Sequence, residues 1–367
     1  MQTLFIIFLS AAAIQVIYFA VFLIALSRKR IGETSEPQPV SIIVCAHDEE
    51  QNLRELIPVI LKQDHPAFEL IVVNDRSNDG TFDFLLEETK KQPLLKMVNI
   101  ESTPAHVNGK KYAITLGIKA AKYDWVLLTD ADCRPNSDQW IKFVSQNFST
   151  EKEFTLGYSA YEKKPGFLNL FIRFETLFTA IQYIGWALAG NPYMGVGRNL
   201  AYRKSVFLNN KGFNNFLSVT GGDDDLFVNQ HATAKNTAAA LGADALVYSF
   251  PKTTLKEFYR QKVRHLSVGK KYRVKHQLLL AFFFLTHLLT WFLGLPLLVI
   301  GFSGVIWVAS ALVFRTLLFS ITVHQAALRF GQKFESVAVP LLDFLFVIYY
   351  LSTAPVALLT KKIRWKS

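Results

Sequence analysis

The sequence predicts an α/β fold, a mostly parallel sheet flanked by helices, joined to transmembrane helices. Three observations predict it. Between residues 40 and 130, apolar β-branched runs alternate with helical stretches, the pattern of a parallel α/β sheet. Residues 4–26 form an uncharged apolar run long enough to cross roughly 30 Å of hydrocarbon. A second apolar block fills residues 278–360. Composition agrees: 51% of the 367 residues are hydrophobic and the mean hydropathy is +0.22, both high for a soluble chain.

Residues 1–27 read as a retained anchor. Arg28-Lys29-Arg30 follow the apolar run, whereas a cleaved signal peptide carries its basic residues before it. The positive-inside rule then places the N-terminus outside and residue 28 onward in the cytoplasm. Residues 28–39 read as a linker, 40–275 as a cytoplasmic domain, and 276–367 as a membrane domain of about three apolar segments, near 278–298, 302–323 and 338–359. The basic run Lys270-Lys271-Tyr272-Arg273-Val274-Lys275 precedes the first segment and agrees with that side. Three full spans would leave Lys361-Lys362-Ile363-Arg364-Trp365-Lys366 outside, against its basic charge. One segment is therefore expected to be re-entrant or interfacial, and Pro340 and Pro355 bracket it. Arg315, inside the second segment, is expected to snorkel or to pair within the bundle.

The net charge of +11 is concentrated beside the apolar segments, where membrane lipids with anionic headgroups are the natural partner, and it calls for no nucleic acid. The two cysteines, Cys45 and Cys133, are far apart and fit reduced cytoplasmic thiols. The reading is an integral protein of the cell inner membrane with a cytoplasmic catalytic domain. Oligomeric state is not legible.

Within the middle domain, Val40-Ser41-Ile42-Ile43-Val44-Cys45 and Leu70-Ile71-Val72-Val73 lack helical period and fit buried parallel strands. Helices are expected over 52–62, 81–90 and 112–122, a weaker strand over 96–100, and a strong one over 125–129. Phe167 opens a long apolar stretch to residue 188, interrupted by Arg173, Glu175 and Gln182; an interfacial amphipathic helix is expected there, with a buried core helix as the alternative. A late strand over 246–250 and a second interfacial helix over 254–275 complete the domain.

In open α/β sheets, ligands bind at the carboxyl ends of the strands. The 125–129 strand ends in Asp130-Ala131-Asp132. Residues i and i+2 of an extended chain point to one side, so both carboxylates can face one Mg2+ or Mn2+ ion, with phosphate oxygens as further ligands. A polar turn is the alternative. Thr220-Gly221-Gly222-Asp223-Asp224-Asp225-Leu226 places three carboxylates together. Neighbouring like charges raise a carboxyl pKa, which suits a general base for a hydroxyl; an acid-rich helix N-terminus is the alternative.

These motifs, in this order, resemble the family 2 glycosyltransferases. Val40-Ser41-Ile42-Ile43-Val44 followed by Asp48-Glu49-Glu50 is similar to their first strand and N-E-E loop. Val72-Val73-Asn74-Asp75-Arg76-Ser77-Asn78-Asp79-Gly80-Thr81 resembles V-V-D-D-G-S-x-D-G-T, with Asn74 for the first Asp and Arg76 for glycine. Gly109-Lys110-Lys111 with Ala113 and Gly117 resembles G-K-x-x-A-x-x-x-G, Asp130-Ala131-Asp132 matches D-x-D, and Gly197-Arg198-Asn199-Leu200-Ala201-Tyr202-Arg203 lies in a G-x-N-x-A-[FY]-R-like segment. The acidic run resembles the E-D motif, and Gln261-Lys262-Val263-Arg264-His265 resembles Q-x-x-R-W of membrane-bound members, with His265 for Trp. The resemblance covers roughly residues 40–275.

The resemblance implies a GT-A nucleotide-sugar-binding domain. It implies an inverting, metal-dependent hexosyltransferase that moves a sugar from a nucleotide-sugar, UDP-linked in the commoner case, to an acceptor. Asp132, with Asp130, would hold the metal. Glu49, Asp75, Lys110, Asp130, Gln261 and Arg264 would bind the nucleotide-sugar; Lys110 also reads as a solvated lysine before a helix. Asp223 or Asp224 would be the base, Asp223 if the motif is counted back from Leu226. The interfacial segments point to a lipid or membrane-associated acceptor. A processive polysaccharide synthase is the rival enzyme, and a non-catalytic membrane scaffold with a degenerate nucleotide-sugar fold the rival of another class.

Overall fold

The computed structural model describes residues 1–28, 36–300 and 303–360. Lys29 and Arg30, most of the expected linker, and the basic tail 361–366 lie outside the described residues. Helix α1 (Gln2–Ser27) precedes an alternating series: β1 (Val40–Ala46), α2 (Glu50–Leu61), β2 (Phe68–Asp75), α3 (Thr81–Lys91), β3 (Leu95–Ile100), α4 (Gly109–Ala120) and β4 (Trp125–Asp130). Next come β5 (Cys133–Pro135), α5 (Trp140–Ser145), β6 (Phe154–Gly157), β7 (Ser159–Tyr161) and the long α6 (Phe167–Leu188). Then follow β8 (Leu200–Arg203), α7 (Lys204–Asn209), α8 (Asp225–His231), β9 (Thr237–Ala240) and β10 (Val247–Ser249). The chain finishes with α9 (Leu255–Val268), α10 (Val274–Val299), α11 (Val305–Arg329) and α12 (Val339–Leu359).

The main sheet has the order β3-β2-β1-β4-β8-β6-β9, and a small second sheet the order β5-β10-β7. β1 pairs in parallel with both β2 and β4, with Cys45 opposite Val73 on one side and Asp130 on the other. β2 is buried along its whole length and β1 at all but Cys45, as continuous apolar runs covered on both faces must be. Strand order reverses between β1 and β4, so a crevice opens beyond their carboxyl ends. Gly117 lets α4 lie directly on this sheet: a Cβ there would come within 2.7 Å of Ile43 Cγ2 and 3.0 Å of Val73 Cγ2.

Helix α6 differs from its expected role. Fifteen of its 22 residues are buried, so no continuous exposed face remains for lipid. The Tyr183 hydroxyl donates to the Gly157 carbonyl (2.7 Å) on the sheet side, while Phe178 packs on Phe319 and Phe346 of the membrane helices at ring distances of 4.9 and 5.0 Å. Its charges are matched from distant segments: Arg173 by Glu335 (2.9 Å) and Glu175 by Lys262. The helix is the layer between sheet and membrane domain, which is the core-helix alternative. The helix expected over 254–275 also stops early, at Val268. A 3-10 turn over Gly269–Lys271 separates it from α10, so the two helices have independent directions.

Among the described residues, four segments are long and apolar enough to cross a membrane: α1, α10, α11, and α12 with the turn before it. One buried polar cluster joins all four. Gln15 donates to the Phe283 carbonyl (3.0 Å) and Thr286 Oγ1 (2.8 Å) and accepts from Arg315 Nη2 (3.1 Å). Arg315 forks onto Asp343, which also accepts from Trp291 Nε1 (3.0 Å) and lies 2.8 Å from His287 Nε2. Arg315 therefore pairs within the bundle. Helix α12 is bonded at both ends to residues outside the membrane helices. Glu335, just before it, meets Lys163 (2.6 Å) and Arg173 (2.9 Å); near its C-terminus, Lys270 Nζ donates to the Leu358 and Thr360 carbonyls, each at 2.9 Å.

Candidate active site

The crevice widens into a cavity of about 1130 Å³. All nine side chains singled out in the sequence line it: Glu49, Asp75, Lys110, Asp130, Asp132, Asp223, Asp224, Gln261 and Arg264. Strand ends and helix starts bring them there from segments more than two hundred residues apart.

At one end lies the loop after β2. Asp75 is buried, and its carboxylate accepts from Arg76 Nε (2.7 Å) and Nη2 (3.3 Å). Arg76 has φ +55°, in the left-handed region that favours glycine, which gives a physical reason for the glycine of the motif it resembles. Here an arginine accepts that conformation, and its fork ties it to Asp75. Glu49, at the start of α2, accepts from Asn52 Nδ2 (2.6 Å).

The centre is a chain of charges. Lys110 Nζ donates to Asp130 Oδ1 at 2.9 Å and lies 3.8 Å from Asp223 Oδ2. Burial works against the charged amine, but Asp130 and Asp223 outweigh it and hold its pKa well above the ordinary lysine value. Burial likewise works to raise Asp130, and Lys110 holds it below the usual carboxylate range. Asp132 is different. Burial and then the neighbouring Asp130 raise its pKa, and among the described residues no Lys or Arg pairs with it; its hydrogen-bond donors are Ser249 Oγ at 3.5 Å and Cys133 Sγ at 3.8 Å. An unmatched carboxylate beside a second one suits a hard divalent cation. Among the described residues no cluster of three ligating side chains could hold an ion by itself. The donor set therefore fits a metal shared with a diphosphate, because Mg2+ typically takes one or two carboxylates and completes its shell with phosphate and water.

The acidic segment is presented by a turn that needs glycine. Gly222 has φ +77°, and a Cβ there would come within 2.7 Å of Leu226 Cδ1, so the Glu of the resembled motif has no room. Lys111, fully buried, donates to the Val219 and Gly221 carbonyls and so fixes this turn to the first turn of α4. The three carboxylates then diverge. Asp224 accepts from the backbone N–H of Gly197 (2.7 Å) and of Asp225 (2.8 Å), capping α8; burial and then Asp223 raise its pKa. Asp225 accepts from the Tyr272 hydroxyl (2.8 Å). All three line the cavity, and Asp223 has Lys110 as its near cation at 3.8 Å.

Sequence reasoning gave no role to Arg198, Lys111 or Glu175. Arg198 lies over the Tyr161 ring at 4.6 Å, lines the same cavity as the acids, and its buried Nη1 has no hydrogen-bond partner among the described residues. Its place inside a glycine-rich segment was the available signal. On α9, Gln261 Nε2 donates to the Tyr161 hydroxyl (3.1 Å), while its buried Oε1 has no hydrogen-bond partner among the described residues.

Comparison with known proteins agrees with this layout. The family model described as glycosyl transferase family group 2 matches residues 125–352, well over half of the chain, and that of glycosyl transferase family 2 matches residues 41–207. The chain is 30% identical over 101 residues to a poly-beta-1,6-N-acetyl-D-glucosamine synthase of Staphylococcus epidermidis, a match covering 28% of this chain and 23% of that protein. It is 28% identical over 177 residues to the probable glycosyltransferase YdaM of Bacillus subtilis, covering 46% and 41%. The matched stretch thus spans well under half the length of these relatives. Among solved structures, a mannosyltransferase of Pyrobaculum calidifontis, in complex with GDP-Man and Mn2+, superposes with a TM-score of 0.56 at 15% identity, over 93% of this chain and 99% of that one. The ordered strand-end motifs, the sheet and the matched family model lead to one assignment: the chain belongs to glycosyl transferase family group 2, as a family 2 glycosyltransferase with a GT-A fold and membrane helices.

Proposed function

We propose that the protein transfers a sugar from a nucleoside diphosphate sugar to a lipid or membrane-associated acceptor, with inversion at the anomeric carbon. One observation carries this reading: a single cavity is lined both by Asp75, Asp132 and Asp223 of the sheet domain and by side chains of membrane helices α10 and α12. The nucleoside lies toward Asp75 and Arg76, and the diphosphate toward Asp132, Arg198 and Arg264, whose guanidinium forks match phosphate oxygens. Asp132, with Asp130, would hold Mg2+ or Mn2+, which stabilises charge on the leaving diphosphate. Asp223 takes the proton of the acceptor hydroxyl. The hydroxyl oxygen bonds to the anomeric carbon opposite the diphosphate, and the bond to the diphosphate breaks with its electron pair leaving on oxygen. Inversion follows from the single displacement.

The test is donor binding by thermal shift with UDP- and GDP-sugars and Mn2+. A true donor at a hundredfold excess over its Kd is expected to stabilise the protein by about 2.7 kcal/mol, and Asp132→Ala to remove the Mn2+-dependent part. No stabilisation by any donor would favour the scaffold alternative. The similarity to a polymer synthase keeps a second reading, processive synthesis, in play. Against it, the turn beyond Phe283 and Phe346 is filled by the fully buried His287, Arg315 and Asp343, where a polymer would have to pass. Long polymer from supplied donor would select that reading.

The same proposal places the catalytic domain in the cytoplasm at the inner membrane, since Lys270, Lys271, Arg273 and Lys275 flank α10 on the catalytic side. With both ends of α12 bonded to that half and the helix unbroken from Val339 to Leu359, we read α12 as the interfacial segment, which leaves Thr360 on the cytoplasmic side. A reporter fused after Ser367 that is active only in the cytoplasm is expected to be on; activity of a periplasm-only reporter would reverse the topology.

A further inference from the structure

Part of the cavity wall is built by membrane-length helices. Leu280 and Phe284 of α10 and Phe346 and Tyr350 of α12 line it, with the Phe284 and Tyr350 rings 5.0 Å apart. Leu280, Phe284 and Tyr350 are each only half-buried, so apolar wall of membrane-length helices is available to a ligand. In the wall of the same cavity, Glu175 of α6 and Lys262 of α9 form an ion pair, their side chains 7% and 10% exposed. Thr176 and Thr179 hydroxyls lie 3.4 and 3.5 Å from the Glu175 carboxylate. A buried ion pair on a helix this apolar is costly to desolvate, and it offers a ligand one acceptor and one donor with no net charge.

We infer that the acceptor is an amphiphile with an uncharged, hydroxyl-bearing head, its head group at the Glu175–Lys262 pair and its apolar chain between α10 and α12. This rests on the glycosyl-transfer reading above and adds the class of acceptor and its seat. The charges select the head. A phosphate-headed lipid would enter beside Asp223, Asp224 and Glu175; of the cations in the cavity wall, Lys262 is matched by Glu175 and Lys110 by Asp130, Arg198 and Arg264 serve the donor diphosphate, and Lys252 and Arg260 are exposed. A neutral hydroxyl meets no such repulsion: it can donate to Glu175 and accept from Lys262. A hydroxyl also needs a base at the reacting oxygen, which an ionised phosphate does not, and a carboxylate faces that point.

The experiment uses the full chain in nanodiscs, with radiolabelled UDP-glucose, UDP-N-acetylglucosamine and GDP-mannose. Diacylglycerol and ceramide serve as neutral acceptors, and phosphatidic acid and undecaprenyl phosphate as phosphate-headed ones. Slow donor hydrolysis by water is read in parallel. Label is expected in the neutral lipids only. Leu280→Trp and, separately, Phe284→Trp are expected to raise the KM for the lipid about tenfold with donor hydrolysis unchanged, the mark of a lost binding contact away from the chemistry. Glu175→Gln, which leaves Lys262 unmatched, is expected to admit phosphatidic acid. Transfer to a phosphate-headed lipid by the unaltered protein, label only in lipid-free polymer, or an unchanged lipid KM in both tryptophan variants with hydrolysis intact would overturn the inference and leave the glycosyl-transfer reading standing. Absence of hydrolysis and transfer with every donor would overturn that reading, and this inference with it.

Discussion

Asp223→Asn is expected to lower sugar transfer by about 10²–10⁴-fold, the usual contribution of a general base, while donor binding measured by thermal shift persists. Asp224→Asn is expected to cost far less, because the two carboxylates do different work. Both Asp224 oxygens are occupied by backbone donors, Gly197 N–H and Asp225 N–H; asparagine keeps the helix cap through its one carbonyl oxygen and loses the other bond, a structural cost rather than the loss of a base. Asp225 is held by Tyr272. Asp223 sits in the cavity wall 3.8 Å from Lys110, where it can meet an acceptor hydroxyl. Separating kcat from KM makes the test specific, since loss of a group acting only in the transition state lowers kcat and kcat/KM together. Equal losses in the two variants, or full activity in Asp223→Asn, would move the base elsewhere.

The sequence was most readable where burial leaves a strong pattern. β1, β2 and β4 stand out because a strand covered on both faces is apolar without interruption, and their polar ends locate the crevice. The seven-stranded sheet was only half visible. β8, β6 and β9 have four residues each and β5, β7 and β10 three, too short for any period to register. Helix α6 misled for a different reason. Arg173 and Glu175 resemble the polar face of an interfacial helix, but their partners, Glu335 and Lys262, come from distant segments, and pairing at such separation leaves no local trace. At the site, residue types and strand ends were legible because chemistry constrains them. The bond between Lys110 and Asp130, the clamp of Lys111 on the 219–221 turn and the place of Arg198 were not, because each depends on how α4, the acidic turn and β8 meet in space.

The polar cluster in the membrane domain carries the largest expected effect on stability. Asp343→Leu is expected to destabilise the protein by about 3–5 kcal/mol, the cost of leaving a buried charge without its partner. Arg315, fully buried, would keep only the Gln15 carbonyl oxygen as a hydrogen-bond acceptor within the cluster, and lipid offers nothing to replace a carboxylate. Arg315→Met is expected to be comparably harmful, since it strands Asp343 with His287 and Trp291. The double variant Arg315→Met/Asp343→Leu should recover much of the loss, because a buried ion pair replaced by apolar side chains of similar volume is often neutral or better. The recovered energy is the coupling that a double-mutant cycle isolates, read from unfolding midpoints of the full chain in one detergent. Because Asp343 draws α10, α11 and α12 together and Arg315 adds α1 through Gln15, the single variants should also loosen the α10–α12 wall and weaken lipid use more than donor binding. Additive losses in the double variant would mean that the pair contributes packing rather than charge, and unchanged midpoints in both single variants would mean that the cluster does not hold the bundle together.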